Sequence, residues 1–218
     1  MGRYSLLLAP QLADFATIAA GQRALDVGCG PGALTTELVR RLRADFVSAV
    51  DPSEPFVSAA RDRHPGVDVR LGSAEQLPFA DQAFDGVLAQ LVVHFMKDPT
   101  EGLTEMVRVT RPGGVVAACV WDHAGGQGPL SLFWDAAREL DPEVEDESQL
   151  AGAREGELPR LFDAAGLRGG CRAKVRGHGV GEVVALAPVV VCGGSDTVVA
   201  RAAFSGRCNG HLVPVELQ

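Results

Sequence analysis

The segment Leu25-Asp26-Val27-Gly28-Cys29-Gly30-Pro31-Gly32 constrains this chain more than any other, because an apolar run passes through an acidic residue into three glycines spaced two apart. Arg23 to Val27 has the short apolar character of a buried strand, and Ala33 to Leu42 places Leu34, Leu38, Val39 and Leu42 at helical spacing. Strand, glycine turn and helix therefore follow in that order. Glycine in the turn permits backbone angles that other residues avoid and removes the Cβ atoms that would hold a ligand away, while Pro31 is tolerated beside a helix start. The helix that follows offers unpaired N–H groups and the positive end of its dipole, worth about 0.3–1 kcal/mol to a nearby anion. That anion could be a phosphate or a carboxylate.

The rest of the chain repeats the alternation. A helix is expected around Pro10 to Ala20, then strands near residues 23–28, 46–50, 67–71, 84–90 and 114–121, with helices between them. Ser53 can cap a helix through Arg63, Asp98-Pro99 opens one through Val109, and Pro112-Gly113-Gly114 breaks the chain before the next strand. Leu158 to Gly166 reads as an amphipathic helix ending at glycine, followed by a strand near 171–176. The fold class is α/β: a Rossmann-like, doubly wound, mostly parallel sheet with helices on both faces, binding ligands outside the carboxyl ends of its strands where the strand order reverses.

Gly28, Gly30 and Ala33 also satisfy the looser dinucleotide-binding pattern, so the neighbouring residues have to separate the candidate ligands. Asp26 stands two residues before the first glycine, where it would repel a pyrophosphate and attract an amino or sulfonium group. This favours S-adenosyl-L-methionine over a dinucleotide. Phe46 to Val50 reads as a second strand ending in Asp51, whose carboxylate can accept both ribose hydroxyls of an adenosine, each such bond contributing about 1.5–3 kcal/mol. Asp51 can equally be a capping or turn residue before Pro52.

With these residues in place, the chain resembles the class I S-adenosylmethionine-dependent methyltransferases, most closely the methyltransferase type 11 group. Four ordered segments carry the resemblance: Leu25 to Gly32; Ala49-Val50-Asp51-Pro52-Ser53; Gly72 to Phe79 with Phe84-Asp85; and Arg111-Pro112-Gly113-Gly114. The resemblance implies that Asp26, Gly28, Cys29, Gly30 and Gly32 lie along the methionine moiety, Asp51 and Pro52 at the ribose, and Ser73, Ala74 and Glu75 along the adenine, with Gln90 and Leu91 near the methyl end. The family commonly has an acidic residue where Ser73 stands; a serine hydroxyl can accept the same hydrogen bond without the charge. It further implies a segment like Gly2 to Ser5 lying over the cofactor, where Arg3 could meet the methionine carboxylate.

Composition narrows the function classes. A chain of 218 residues, 46% hydrophobic, suits one α/β domain, expected over residues 1–176. A net charge of −8, with no long basic run, offers nothing to a phosphate backbone, so nucleic acid is not expected as a partner. No stretch of transmembrane length and no signal-peptide architecture appear, which points to a cytoplasmic protein that does not engage a membrane. The five cysteines, Cys29, Cys119, Cys171, Cys192 and Cys208, lack C-x-x-C spacing and suit reduced thiols. The five histidines lack metal-ligand spacing, so no metal is expected. Oligomeric state is not legible.

Methyl transfer from a sulfonium needs positioning above all, and a base only when the acceptor loses a proton during attack. His94, in Gln90-Leu91-Val92-Val93-His94-Phe95-Met96, is the candidate for such a base, or else a packed histidine in an apolar turn. Trp121, Asp122 and His123 follow the fifth strand and could shape an acceptor pocket, although a tryptophan there also suits packing. The acidic run Asp141 to Glu147 reads as a solvated loop, or more sharply as a lid.

Residues 177–218 form an atypical Val/Ala/Gly-rich tail. Either its coding DNA is read in an altered frame, since codons for Val183-Val184-Ala185 can hold two tandem tryptophan codons in a neighbouring frame, or it has diverged, with Val189-Val190-Val191 as a final strand. The activity expected is methyl transfer from S-adenosylmethionine to a small-molecule acceptor. Two alternatives stand beside it: a non-catalytic S-adenosylmethionine-binding protein, and an NAD(P)-dependent reductase, which Asp26 and the lack of a Tyr-x-x-x-Lys pair disfavour.

Overall fold

The computed structural model describes residues 2–126, 128–167, 172–176 and 182–190, the last two stretches and residues 2–3 as backbone alone. Helices α1 (Gly2–Phe15), α2 (Ala33–Leu42), α3 (Glu54–Arg63), α4 (Pro99–Val109), α5 (Ser131–Leu140) and α6 (Glu157–Ala164) alternate with strands β1 (Ala24–Val27), β2 (Val47–Asp51), β3 (Asp68–Leu71), β4 (Phe84–Gln90), β5 (Thr110–Trp121), β6 (Arg172–Arg176) and β7 (Glu182–Val190). One sheet of order β3-β2-β1-β4-β5-β7-β6 results. Its first five strands are parallel, and β7 pairs antiparallel with both β5 and β6.

The strand order reverses at β1, which pairs with β2 on one side and β4 on the other. Burial on both faces explains why the central strands read as continuous apolar runs. In β5 the residues alternate cleanly: Val116, Ala118 and Val120 pack toward Leu103 and Met106 of α4 and Phe162 of α6, while Val115, Ala117, Cys119 and Trp121 pack toward Leu8 and Leu12 of α1 and Leu34 and Leu38 of α2. No residue of α5 is buried.

Several features differ from the sequence reading. The first helix begins at Gly2 and ends at Phe15, with Pro10 inside it. It is closed by Thr17 in the left-handed region (φ 52°), where Ile18 N–H donates to Ala13 O and Thr17 N–H to Asp14 O, a Schellman cap built without glycine. Arg41 of α2 locks this helix by donating to Pro10 O at 3.1 Å and to Asp14 Oδ1 at 2.7 Å. Ser53 precedes α3 as expected, but its side chain makes no cap bond; its N–H instead donates to Asp51 Oδ1. Finally, Pro112-Gly113-Gly114 does not break the chain ahead of β5. The strand runs through it as a bulge, with Thr110 opposite Phe84 and Val115 already opposite Gly86. The strand expected at 189–191 occupies Glu182–Val190, and Val191 lies outside the described residues.

Candidate functional site

The turn between β1 and α2 is held from below by β2, since Gly28 and Cys29 N–H groups both donate to Val50 O, at 2.8 and 3.0 Å. Gly28, Gly30 and Gly32 all have positive φ, at 68°, 51° and 88°. Each glycine is needed for a different reason. A Cβ at Gly28 would lie 2.5 Å from both Val92 methyls, and one at Gly32 would lie 2.7 Å from His64 Nε2, whereas one at Gly30 would meet nothing within 4 Å. The turn therefore packs on protein at its ends and presents bare backbone to open space at its middle.

Asp51 ties this turn to its neighbour. Its Oδ2 accepts from Gly30 N–H at 2.8 Å and its Oδ1 from Ser53 N–H at 2.9 Å, so the carboxylate serves as a turn organiser while keeping lone pairs on both oxygens. Pro52 beside it is exposed. The third segment begins here too, because Gly72 N–H donates to Asp51 O. Ser73 is half-buried and Ala74 buried, packed under α4. Glu75 reaches across to the start of α4, where its Oε1 accepts from Lys97 N–H at 2.7 Å; burial works to raise its carboxyl, but hydrogen bonds from the backbone of Glu75 itself, Lys97 and Asp98, and lastly from Ser73, hold it below the usual range.

Asp26 is 1% exposed and accepts a 2.6 Å hydrogen bond from Thr35 Oγ1. Burial pushes its carboxyl up to about 7, opposed by the Thr35 bonds and reinforced by the Asp51 charge. A cation placed nearby would reverse that shift. Burial and the same two acids drive the Cys29 thiol far up, so it remains a protonated thiol, a 3.4 Å donor to Gly30 O, rather than a nucleophile.

The carboxyl ends of β4 and β5 form the facing wall. Leu91, at φ 61°, turns the chain sharply after β4 and donates its N–H to Cys119 O at 2.8 Å. Gln90 Nε2 donates to Ser5 O at 3.1 Å, which lays the first turn of α1 across the end of β4; the side chain of Arg3 lies outside the described residues. His94 is 4% exposed, and its ring centroid lies 5.6 Å from that of His123 in an edge-to-face contact. Burial, with His123 as a lesser cause, lowers its pKa to about 4. His123 Nδ1 lies 3.4 Å from Glu147 Oε2, which also accepts from Trp134 Nε1 at 3.1 Å. Burial lowers the His123 pKa, and Glu147, Asp146 and Asp122 pull against it.

Among the described residues the side-chain polar atoms that are buried without a hydrogen-bond partner are Gln90 Oε1, both His94 ring nitrogens, Trp121 Nε1 and His123 Nε2. All five belong to this wall. Beside it, under α5, opens a cavity of about 480 Å³ whose walls include His123, Trp134, Asp135, Arg138, Asp146 and Glu147. The acidic run is thus only partly solvated, since Asp146 and Glu147 turn inward, with Asp146 held down to about 2 by Ser148 and Arg138. Thr35, His64 and Val92 were not legible as site residues: each acts by touching a backbone or carboxylate far away in sequence. Glu147 and Trp134 were hidden in segments whose pattern signals only a loop and an amphipathic helix.

Among the described residues no group of three His, Cys, Asp or Glu could hold a metal ion, and no helix is long and apolar enough to cross a membrane.

Residues 25–118 match the family model described as a methyltransferase domain. An uncharacterised methyltransferase of Mycobacterium tuberculosis is 40% identical over 113 residues, covering 52% of this chain and 45% of that protein. A malonyl-[acyl-carrier protein] O-methyltransferase of Erwinia billingiae is 38% identical over 110 residues, 50% of this chain and 43% of its own length. The chain matches a little under half the length of these curated relatives. Among solved structures, the methyltransferase component of a Haloferax volcanii complex with the Trm112 activator superposes with a TM-score of 0.70 at 17% identity, over 88% of this chain and 92% of that one. An S-adenosylmethionine-dependent methyltransferase of Thermotoga maritima gives 0.61 at 22% identity, over 85% and 89%. Both share the fold. With the glycine turn, the reversal at β1 and the matched segment together, residues 25–118 form a methyltransferase domain on the class I, Rossmann-like fold.

Proposed function

We propose that this protein transfers a methyl group from S-adenosyl-L-methionine to a small-molecule acceptor, and that it does so in the cytoplasm. The observation that carries the reading is the Gly30 amide: pinned by Asp51, it lies at the open middle of a turn that sits at the switch point of a parallel sheet. Bound there, S-adenosylmethionine supplies an electrophilic methyl group on a sulfonium.

The residues present fit that group. Gly28, Cys29, Gly30 and Gly32 let backbone come close to the methionine moiety, and Asp26, raised toward neutrality by burial, gains most from a neighbouring cation. Asp51, with Pro52 beside it, offers free carboxylate lone pairs to vicinal hydroxyls. Ser73, whose hydroxyl serves Glu75 as donor, keeps lone pairs for the adenine amino group, and Ala74 provides an apolar face. Gln90 and Leu91 belong to the facing wall, where an orphaned Gln90 Oε1 can orient the reacting end. The acidic surface balance, −8 over the chain, supports a small acceptor over a nucleic acid. The described cysteines, Cys29 and Cys119, are unpaired and buried, in keeping with a reducing compartment.

Calorimetric titration with S-adenosylmethionine and S-adenosylhomocysteine tests the proposal. Micromolar binding by the wild type, lost at least tenfold in Gly30→Ala, is the expected result. Because a Cβ at Gly30 meets no protein atom, that variant should give up only about 1–2 kcal/mol of stability for its left-handed backbone. A folded wild type that binds neither ligand overturns the reading.

A further inference from the structure

We infer that His123, oriented by Glu147 and packed edge-to-face against His94, is the proton acceptor for the methyl acceptor, and that this acceptor is an uncharged or cationic molecule presenting an O–H or N–H group. The inference rests on the methyltransferase reading above and specifies the chemistry of its second substrate.

Three observations lead to it. The first is the pairing itself. Glu147 Oε2 stands 3.4 Å from His123 Nδ1, so the proton of the neutral imidazole resides on Nδ1 and the lone pair on Nε2. That Nε2 is buried, with no hydrogen-bond partner, in a residue that is 8% exposed and lines the cavity under α5. A carboxylate behind an imidazole fixes its tautomer and stabilises the imidazolium that forms when Nε2 takes a proton. Trp134 donates to the same Glu147 oxygen and so fixes the carboxylate in turn.

The second observation is the position of His94. Its two ring nitrogens are also without partners, and such buried groups cost about 1–3 kcal/mol each when left unsatisfied. The ring touches His123 on one side and follows the turn whose Val92 packs on Gly28 on the other. The one turn from Val92 to Phe95 thus touches the glycine turn through Val92 and His123 through His94. An acceptor hydroxyl or amine placed along it can donate to one imidazole while its heavy atom is held by the other.

The third observation is charge. The cavity walls carry Asp135, Asp146 and Glu147 against the single cation Arg138. That guanidinium is already taken, by Asp135 at 2.8 Å and by Asp146 through both Nε and Nη2. Among the described residues no cation is left there to receive a phosphate or carboxylate, and three acids would repel one. A neutral or cationic acceptor meets no such barrier.

The step balances as follows. An uncharged acceptor forms the new bond to the methyl carbon through its oxygen or nitrogen lone pair and passes its proton to His123 Nε2, whereas an ammonium acceptor first gives a proton to His123 Nε2 and then attacks through the lone pair so freed; in both cases the carbon–sulfur electron pair remains on sulfur as a neutral thioether. His94 contributes a hydrogen bond and no proton balance. Glu147 is a positioning residue, since it acts on the acceptor only through His123.

The test uses the full chain labelled with ¹³C at histidine Cε1, saturated with S-adenosylhomocysteine, whose binding is first measured by calorimetry. Phenol and benzylamine serve as neutral and cationic probes, with phenyl phosphate as their anionic counterpart. Phenol and benzylamine should each shift the His94 and His123 signals, and phenyl phosphate should shift neither. With either probe that is methylated, Glu147→Gln should lower kcat at least tenfold and change the KM for that probe less than threefold, while S-adenosylhomocysteine affinity stays within twofold. Circular dichroism confirms that the variant is folded. If S-adenosylhomocysteine binds but neither protic probe moves the two histidine signals, or if phenyl phosphate moves them more, the assignment is overturned and the cofactor reading stands. If a folded sample binds no S-adenosylhomocysteine, the cofactor reading falls and the assignment falls with it.

Discussion

The carboxyl ends of β1 and β2 and the carboxyl ends of β4 and β5 bury similar polar residues and treat them in opposite ways. At the first pair, Asp26 is bonded to Thr35, Asp51 to two backbone amides, and His64 to Gly32 O and Thr36. At the second pair, Gln90 keeps one bond, His123 faces Glu147 through one nitrogen only, and His94 and the Trp121 indole have none. A satisfied network stabilises one geometry, whereas orphaned groups in a low dielectric cost stability until a ligand meets them. Under the proposed function, the cofactor side is thus preorganised by the chain itself, and the acceptor side is one that a substrate would complete.

The largest expected break in this contrast is Gly28→Ala. A Cβ there collides with Val92 at 2.5 Å and sits on a backbone with φ of 68°, so strain and overpacking together should cost about 4 kcal/mol in urea unfolding. Cofactor binding should vanish in calorimetry, because the turn that links the two walls is displaced. A stability change below about 1 kcal/mol would show that the turn relaxes freely and is not preorganised.

Acid and base titration should set the two walls against each other. Asp26 has a folded pKa of about 7 against an ordinary value of 3.8, so the stability linked to it is complete below pH 3.8 and is lost as pH rises through 7, a swing of about 4 kcal/mol. His94 has a folded pKa of about 4 against 6.5, so its contribution is complete above pH 6.5 and is lost as pH falls through 4, about 3 kcal/mol. Asp26→Asn should therefore stabilise the free protein most at pH 8. His94→Phe should do so most at pH 4 and change stability by about 1 kcal/mol or less at pH 7, since it removes an imidazole with no partners. Chemical denaturation of both variants at these pH values is the measurement. Identical pH slopes in wild type and variants would dissolve the comparison.

The same contrast explains what the sequence discloses. Helix α2 was legible to the residue, and strand β1 and the glycine turn to within one residue, because local rules agree there: an apolar run, positive φ at spaced glycines and helical periodicity from Ala33 to Leu42. The start of α1 was not, because Pro10 reads as a helix opening, while Arg41 and contacts with α2 carry the helix back to Gly2. Likewise, Pro112-Gly113-Gly114 reads as a break, yet pairing with β4 absorbs it as a bulge. His94 and His123 could be named as candidates because each follows the end of a strand. Their partnership with each other and with Glu147 could not, since Glu147 comes from an acidic run 24 positions beyond His123 and is aimed inward by a turn, not by any periodic pattern.

The smallest effect expected is at Asp51, where the structure sharpens what a ribose contact alone would predict. Loss of hydrogen bonds from vicinal hydroxyls to a carboxylate in Asp51→Ala should weaken cofactor binding at least tenfold, about 1.4 kcal/mol. The fold should not be indifferent, however, because the same carboxylate holds the Gly30 and Ser53 amides, and leaving part-buried N–H groups unpaired costs about 1–3 kcal/mol. Asp51→Asn separates the two roles. Its amide oxygen can still accept from one backbone N–H, so it should recover part of the stability, while the neutral group that replaces the carboxylate should still bind the cofactor less well than wild type. Calorimetry and urea unfolding on both variants decide the matter. If affinity and stability fall and recover in strict proportion, Asp51 acts only by shaping the turn; if Asp51→Asn restores stability and leaves affinity low, the carboxylate itself meets the ligand, and the preorganised wall is also a contact surface.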